Sequence, residues 1–117
     1  MLDHIELKVK DLGKAVAFYE AVLQPLGAKL RYEDATMKAY GTTRVPALYL
    51  AQGAGKGIHF ALAASSRAVV DRFHEAGLKA GGKDNGAPGI RADYAPTYYA
   101  AFLIDPDGNN VEAVCLK

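Results

Sequence analysis

The chain has a single cysteine, Cys115, and no tryptophan in its 117 residues. One thiol cannot form an intramolecular disulfide, so packing and hydrogen bonding must hold the fold, and a reducing cytoplasmic compartment is expected. Charge of one sign is also lacking: 14 Lys and Arg stand against 13 Asp and Glu, a formal net charge of +1. Without a basic run to neutralise a line of phosphates, nucleic acid is not an expected partner. Charged residues from Asp3 onward leave no apolar core for an N-terminal signal. No stretch approaches the roughly 20 apolar residues that a membrane span requires, so no membrane partner is expected either. The glycines of Gly53-Ala54-Gly55-Lys56-Gly57 lack a Gly-Lys-Ser/Thr ending. A strand pattern follows them where a helix would be needed, which excludes a phosphate loop.

What is present is ordinary globular composition, 50% hydrophobic and 23% charged, at a length that can bury most of the surface an unfolded chain exposes. One domain over residues 1–117 is expected. Leu2 to Val9 alternates, with Ile5, Leu7 and Val9 opposite His4, Glu6 and Lys8, the pattern of a strand with one face on a core. Asp11 can cap a helix in which Ala15, Val16, Phe18, Tyr19, Val22 and Leu23 recur at helical spacing until Pro25 and Gly27. Three short extended segments follow, Lys29 to Asp34, Thr36 to Tyr40 and Ala47 to Ala51.

After a glycine-rich connector over Gln52 to Gly57, the order repeats. Gly57 to Ala64 alternates, with His59 opposite the apolar face. Ser65 or Ser66 can cap a second helix that carries Val69, Val70 and Phe73 and ends near Gly77. Lys79 to Pro96, rich in Gly, Pro and Asp, reads mostly as loop, with a short extended piece near Ile90 to Tyr94. Tyr98 to Asp105 and Asn110 to Leu116 are the strands of a hairpin around Asp105-Pro106-Asp107-Gly108-Asn109. The expectation is an α+β fold of two βαβββ modules, about 1–52 and about 57–117, forming an incomplete, cupped barrel with the helices outside.

The polar faces of three strands then matter. His4 lies on the first, His59 on the fifth and Glu112 on the last, all on the side expected to look inward. Two imidazoles and a carboxylate leave coordination positions open, an arrangement that suits Fe(II) and can also hold Mn, Zn, Ni or Co. One divalent metal is therefore the expected cofactor. It can polarise a carbonyl or enediolate oxygen, or lower the pKa of bound water.

The sequence carries Leu2-Asp3-His4-Ile5, Asp11-Leu12, Ala17-Phe18-Tyr19, Gly57-Ile58-His59-Phe60-Ala61 and Phe102-Leu103-Ile104-Asp105-Pro106-Asp107-Gly108-Asn109-Asn110-Val111-Glu112. With these motifs it resembles the vicinal oxygen chelate (glyoxalase/bleomycin resistance/dioxygenase) superfamily over essentially the whole chain. The resemblance implies paired modules, a small-molecule substrate, a homodimer, and metal ligands on the first, fourth, fifth and eighth strands. His4, His59 and Glu112 match three of those four positions. The fourth strand, Ala47-Leu48-Tyr49-Leu50, has no carboxylate, which departs from the glyoxalase I pattern. The three-ligand set resembles the extradiol dioxygenases and the fosfomycin-modifying thiol transferases. The former carry a further catalytic histidine, whereas His74 is expected on the surface of the second helix. The latter use a C-terminal segment, and little chain follows Glu112.

Glu6, on the face of His4, is a candidate hydrogen-bond partner of a metal ligand or a general base. Tyr99, expected to share the cavity face with Ala101 and Leu103, and Tyr49 are candidate hydrogen-bond donors to a substrate oxygen. Arg91 could neutralise an anionic substrate. Cys115 should pack beneath a helix as a small hydrophobe. The expected function is a metal-dependent, glyoxalase-like enzyme acting on a small oxygen-rich molecule by lyase or isomerase chemistry, the metal stabilising an oxyanion or enediolate. The alternatives are a non-catalytic drug- or metabolite-binding protein of the bleomycin-resistance type and an Fe(II) extradiol-type dioxygenase.

Overall fold

Both βαβββ runs are present in the computed structural model, which describes residues 3–53 and 57–117. The first comprises β1 (Ile5–Val9), α1 (Leu12–Leu23), β2 (Lys29–Glu33), β3 (Met37–Gly41) and β4 (Leu48–Gln52). The second comprises β5 (His59–Ala63), α2 (Arg67–Lys79), β6 (Lys83–Ile90), β7 (Tyr99–Ile104) and β8 (Asn110–Cys115). Half of the expected connector, Ala54 to Lys56, and the start of the expected first strand at Leu2 lie outside the described residues.

Local chemistry sets the helix starts. The Asp11 side chain accepts from the Lys14 amide at 3.0 Å, and the Ser66 hydroxyl accepts from the Val69 amide at 3.2 Å, each satisfying one N–H that the first turn would leave unpaired. The second helix runs past Gly77 to Lys79. Gly77 does not end it, because its role is tertiary. A Cβ there would lie 2.2 Å from Leu103 Cδ1 and 3.0 Å from Val22 Cγ1, so the missing side chain lets α1, α2 and β7 converge.

Each module forms a four-stranded mixed sheet, in the orders β1-β4-β3-β2 and β5-β8-β7-β6. The first strand of each run is parallel to the last, and the remaining pairs are antiparallel. The internal repeat is therefore one of topology. The two sheets are not closed into a barrel, and β1 and β5 are both edge strands.

The segment expected to be loop contains an eight-residue strand, β6, paired with β7. Its composition hid it. Pro88 lacks a ladder donor and the glycines weaken a strand, yet both are tolerated on an edge. The irregularities of the β6–β7 pairing fall between Asp84 and Gly86 and between Gly86 and Gly89. They break the alternation on which strand recognition depends.

One apolar cluster joins the modules. It takes Phe18, Tyr19 and Val22 from α1, Val70 and Phe73 from α2, Leu7, Val9 and Leu50 from the first sheet, and Leu103, Val111, Ala113 and Cys115 from the second. Each large member contributes about 1.5–3 kcal/mol by leaving water. His74, expected on the surface, is buried where α2 meets β6 and bonds Asp84 at 2.9 Å through Nε2. No described helix is long and apolar enough to cross a membrane.

Candidate metal centre

The turn after β7 positions the site. Asp105 is buried and accepts from the Asp107 and Asn109 amides at 2.9 and 2.8 Å through Oδ1. Its Oδ2 accepts from the Tyr19 hydroxyl at 2.6 Å and from Asn109 Nδ2 at 2.8 Å. Asn109 Oδ1 in turn accepts from the Ile58 amide at 2.9 Å, and Asp107 Oδ1 from the Lys10 amide at 2.8 Å. One turn thus ties together the end of β1, the middle of α1 and the start of β5. The Phe-Tyr motif and the Asp-Pro-Asp-Gly-Asn motif, separate in sequence, meet in this bond. Burial, the Asp105 charge and the hydrogen bond together raise the Tyr19 phenol well above its ordinary pKa.

His59 follows Ile58 directly. It pairs with Asn110 in the β5–β8 ladder, Ala61 pairs with Glu112, and Glu112 pairs with Phe102 across β7. Residues two apart on a strand share a face, so His59, Ala61, Asn110, Glu112 and Phe102 all lie on the side away from the apolar cluster. His59 Nε2 stands 3.1 Å from Glu112 Oε1. Glu112 is only 3% exposed, whereas the His59 side chain is 50% exposed. The other Glu112 oxygen accepts from the Tyr98 hydroxyl. Burial, then the bond to Glu112 and its charge, push the Tyr98 phenol up to about 12. The Tyr94 ring meets the Tyr98 ring edge-on at 5.0 Å. Phe102 stacks on His59 at 6.2 Å, and the Arg91 guanidinium lies 5.4 Å from the Phe102 ring centre.

His4 is elsewhere. Its Nδ1 lies 2.8 Å from Asp3, and its ring meets Tyr49 edge-on at 5.8 Å on the first sheet. Among the described residues no three His, Cys, Asp or Glu side chains gather into a metal-binding group. The chain therefore brings His59 and Glu112 together and leaves His4 apart, lining a cleft of about 430 Å³ with Phe60, Ala61 and Ala63. Glu6 shares the face of His4, where it pairs with Lys8 at 3.2 Å.

Tyr49 occupies the position that corresponds to Glu112. In the second sheet the carboxylate stands two residues beyond the partner of His59. In the first, Ile5 pairs with Leu48, so Tyr49 stands two residues beyond the position level with His4. A phenol stands in the first sheet where the second has its carboxylate.

Tyr99 does not share the cavity face. It pairs with Cys115, and Ala101 and Leu103 pair with Ala113 and Val111 on the core side. Its hydroxyl donates to Asp71 of α2 at 2.6 Å, and Arg67 lies over its ring at 5.1 Å. Phe102 instead faces Glu112. The signal was present in the hairpin. Pairing Ile104 with Asn110 across the turn puts Phe102 opposite Glu112 and gives Tyr98 the parity of Phe102. Arg91 had no such signal, because its position depends on the irregular β6.

The donor set fits a divalent metal in part. An imidazole and a carboxylate supply two ligands, and the Asn110 Oδ1 is buried without a hydrogen-bond partner, an acceptor that calls for a donor or a cation.

Solved structures show the same architecture. A glyoxalase/bleomycin resistance protein from Albidiferax ferrireducens T118 superposes with a TM-score of 0.85 at 30% identity, covering 98% of each chain. Lactoylglutathione lyase from Agrobacterium tumefaciens shares the fold at 21% identity and a TM-score of 0.71, over 98% of this chain and 92% of that one. A fosfomycin resistance protein from Mesorhizobium loti does so at 21% and 0.71, over 98% and 91%. No curated protein matches the chain. A family model matches residues 1–113, and on that match the chain belongs to the Glyoxalase/Bleomycin resistance protein/Dioxygenase superfamily.

Proposed function

We propose that the protein is a divalent-metal-dependent enzyme of glyoxalase-like type, acting on a small oxygen-rich molecule by lyase or isomerase chemistry. His59 and Glu112 of one chain and His4 of a second copy would hold the metal. The observation that carries this reading is the His59–Glu112 contact, with a buried carboxylate on an otherwise open face. A carboxylate this shielded from water needs partners, and a cation shared with an imidazole is one it can satisfy. When bound, the metal supplies Lewis acidity toward a substrate oxygen.

The residues of this chain would do the rest. Tyr98 holds its proton at neutral pH and orients Glu112 through their hydrogen bond. Phe102 walls the site beside His59 and excludes water from that side. Tyr49, beside His4, would bring a neutral hydrogen-bond donor where the glyoxalase I pattern has a carboxylate. The second copy enters because His4 and His59 sit on β1 and β5, each a strand with one unpaired edge. Laying β1 of one copy beside β5 of another would merge two sheets and complete the ligand set.

Elemental analysis of protein purified without chelators tests the reading, alongside His59→Ala and Glu112→Gln. The wild type should carry close to one divalent ion per chain and both variants should lose it. Metal-free wild-type protein, or variants that keep a full complement, would overturn the metal site and favour a metal-independent binding protein.

A further inference from the structure

We propose that Arg91 forms an anion subsite beside the metal position, so that the ligand of this site carries a carboxylate or phosphoryl group. It rests on reading the His59–Glu112 face as the ligand face, but it draws on separate observations. Arg91 follows β6 immediately, and its side chain folds back across that strand. A Cβ at Gly89 would lie 3.2 Å from Arg91 Nη1, and one at Gly86 would lie 3.1 Å from Nη2 and 2.9 Å from Phe102 Cδ1. Two glycines therefore clear the track in which the guanidinium lies. Nη2 donates to the Ala87 carbonyl at 2.7 Å, and the guanidinium rests on the Phe102 ring.

The group is thus held in place rather than free to sweep solvent. None of the ion pairs among the described residues includes Arg91. A guanidinium has five N–H donors in a planar fork, and the bond to Ala87 engages only part of that capacity. Arg91, Phe102 and His59 form a continuous stack over one strand row, Gly86–Phe102–Glu112–Ala61. A ligand oxygen placed near His59 and Glu112 would put an anionic substituent within the territory of Arg91, with Phe102 beneath the link between them. Charge-assisted, forked hydrogen bonding selects a carboxylate or phosphoryl group over a neutral one.

Inorganic phosphate, titrated calorimetrically into protein as purified and after chelator treatment, tests this. The wild type should bind one phosphate saturably in both forms. Arg91→Met should bind at least about tenfold more weakly, and Arg91→Lys should recover only part of the loss. Both variants should melt with the wild type and retain its metal content. Equal affinity of wild type and Arg91→Met, or no saturable binding to the wild type, would overturn the subsite. Arg91-dependent phosphate binding by a protein that carries no metal would uphold the subsite while removing the metal. A metal-loaded protein without Arg91-dependent binding would do the reverse.

Discussion

Glu112 and Tyr19, both buried, each make a side-chain hydrogen bond, and at the scale of the residue the two have different consequences. Removing the Glu112 carboxylate leaves the Tyr98 hydroxyl without its acceptor and His59 without its partner. Glu112→Ala should destabilise the chain by about 1–3 kcal/mol, read from the urea midpoint. The Tyr19 phenol is raised by burial and by Asp105. A folded-state pKa above the unfolded value of about 10 gives stability that is fully present below pH 10 and lost as pH rises toward the folded value. Urea unfolding followed from pH 8 to 11 should show wild-type stability falling at the alkaline end, and Tyr19→Phe should flatten that limb. An unchanged limb in the variant would show that another group causes it. At this scale the strand faces of the candidate residues were legible in part. Strand parity puts His59 and Glu112 on the polar faces, whereas the face of Tyr99 is set by the register of β7 against β8 through the turn.

The elements show why certain motifs are where they are. The Asp105 turn accepts from Tyr19 and passes a bond through Asn109 to Ile58, so it anchors the strand that bears His59. Asp105→Ala would leave several donors unpaired at once, and a loss of about 3 kcal/mol is expected by chemical denaturation. Gly77→Ala adds a methyl where α1, α2 and β7 converge, and it should cost about 1–3 kcal/mol by overpacking. A loss near zero would mean that the helices can separate without strain. Helix caps, the hairpin and most strand positions follow from local patterns, which is why they were legible. The irregular, glycine-bearing β6 was not, because its pairing with β7 defines it as a strand where its own alternation does not.

For the whole molecule, the prediction concerns assembly. Co-expressed His4→Ala and His59→Ala chains can be purified as a mixed dimer with two different tags. If the ligands come from two copies, this dimer keeps one intact set and should hold about one metal per pair, since the other set loses both histidines. A set contained within one chain would leave both sites damaged and the mixed dimer empty. Binding should also link to stability. A divalent ion at about 100 times its dissociation constant stabilises a one-site protein by about 2.7 kcal/mol, so chelation should lower the melting temperature of the wild type and leave Glu112→Gln unmoved.

By itself the sequence determined the first βαβββ run and the second apart from β6, their caps, the Asp-Pro-Asp-Gly-Asn hairpin and the polar faces that carry His4, His59 and Glu112. These are properties of periods two and 3.6 and of turn chemistry, all expressed within a few residues of chain. Tertiary structure alone decided that β1 and β5 are both edges, that His4 stands apart from the other two candidates, and that Arg91 lies across two glycines onto Phe102. Each depends on which strands pair and in what register. That choice is made by contacts between residues distant along the chain, where local periodicity carries no information.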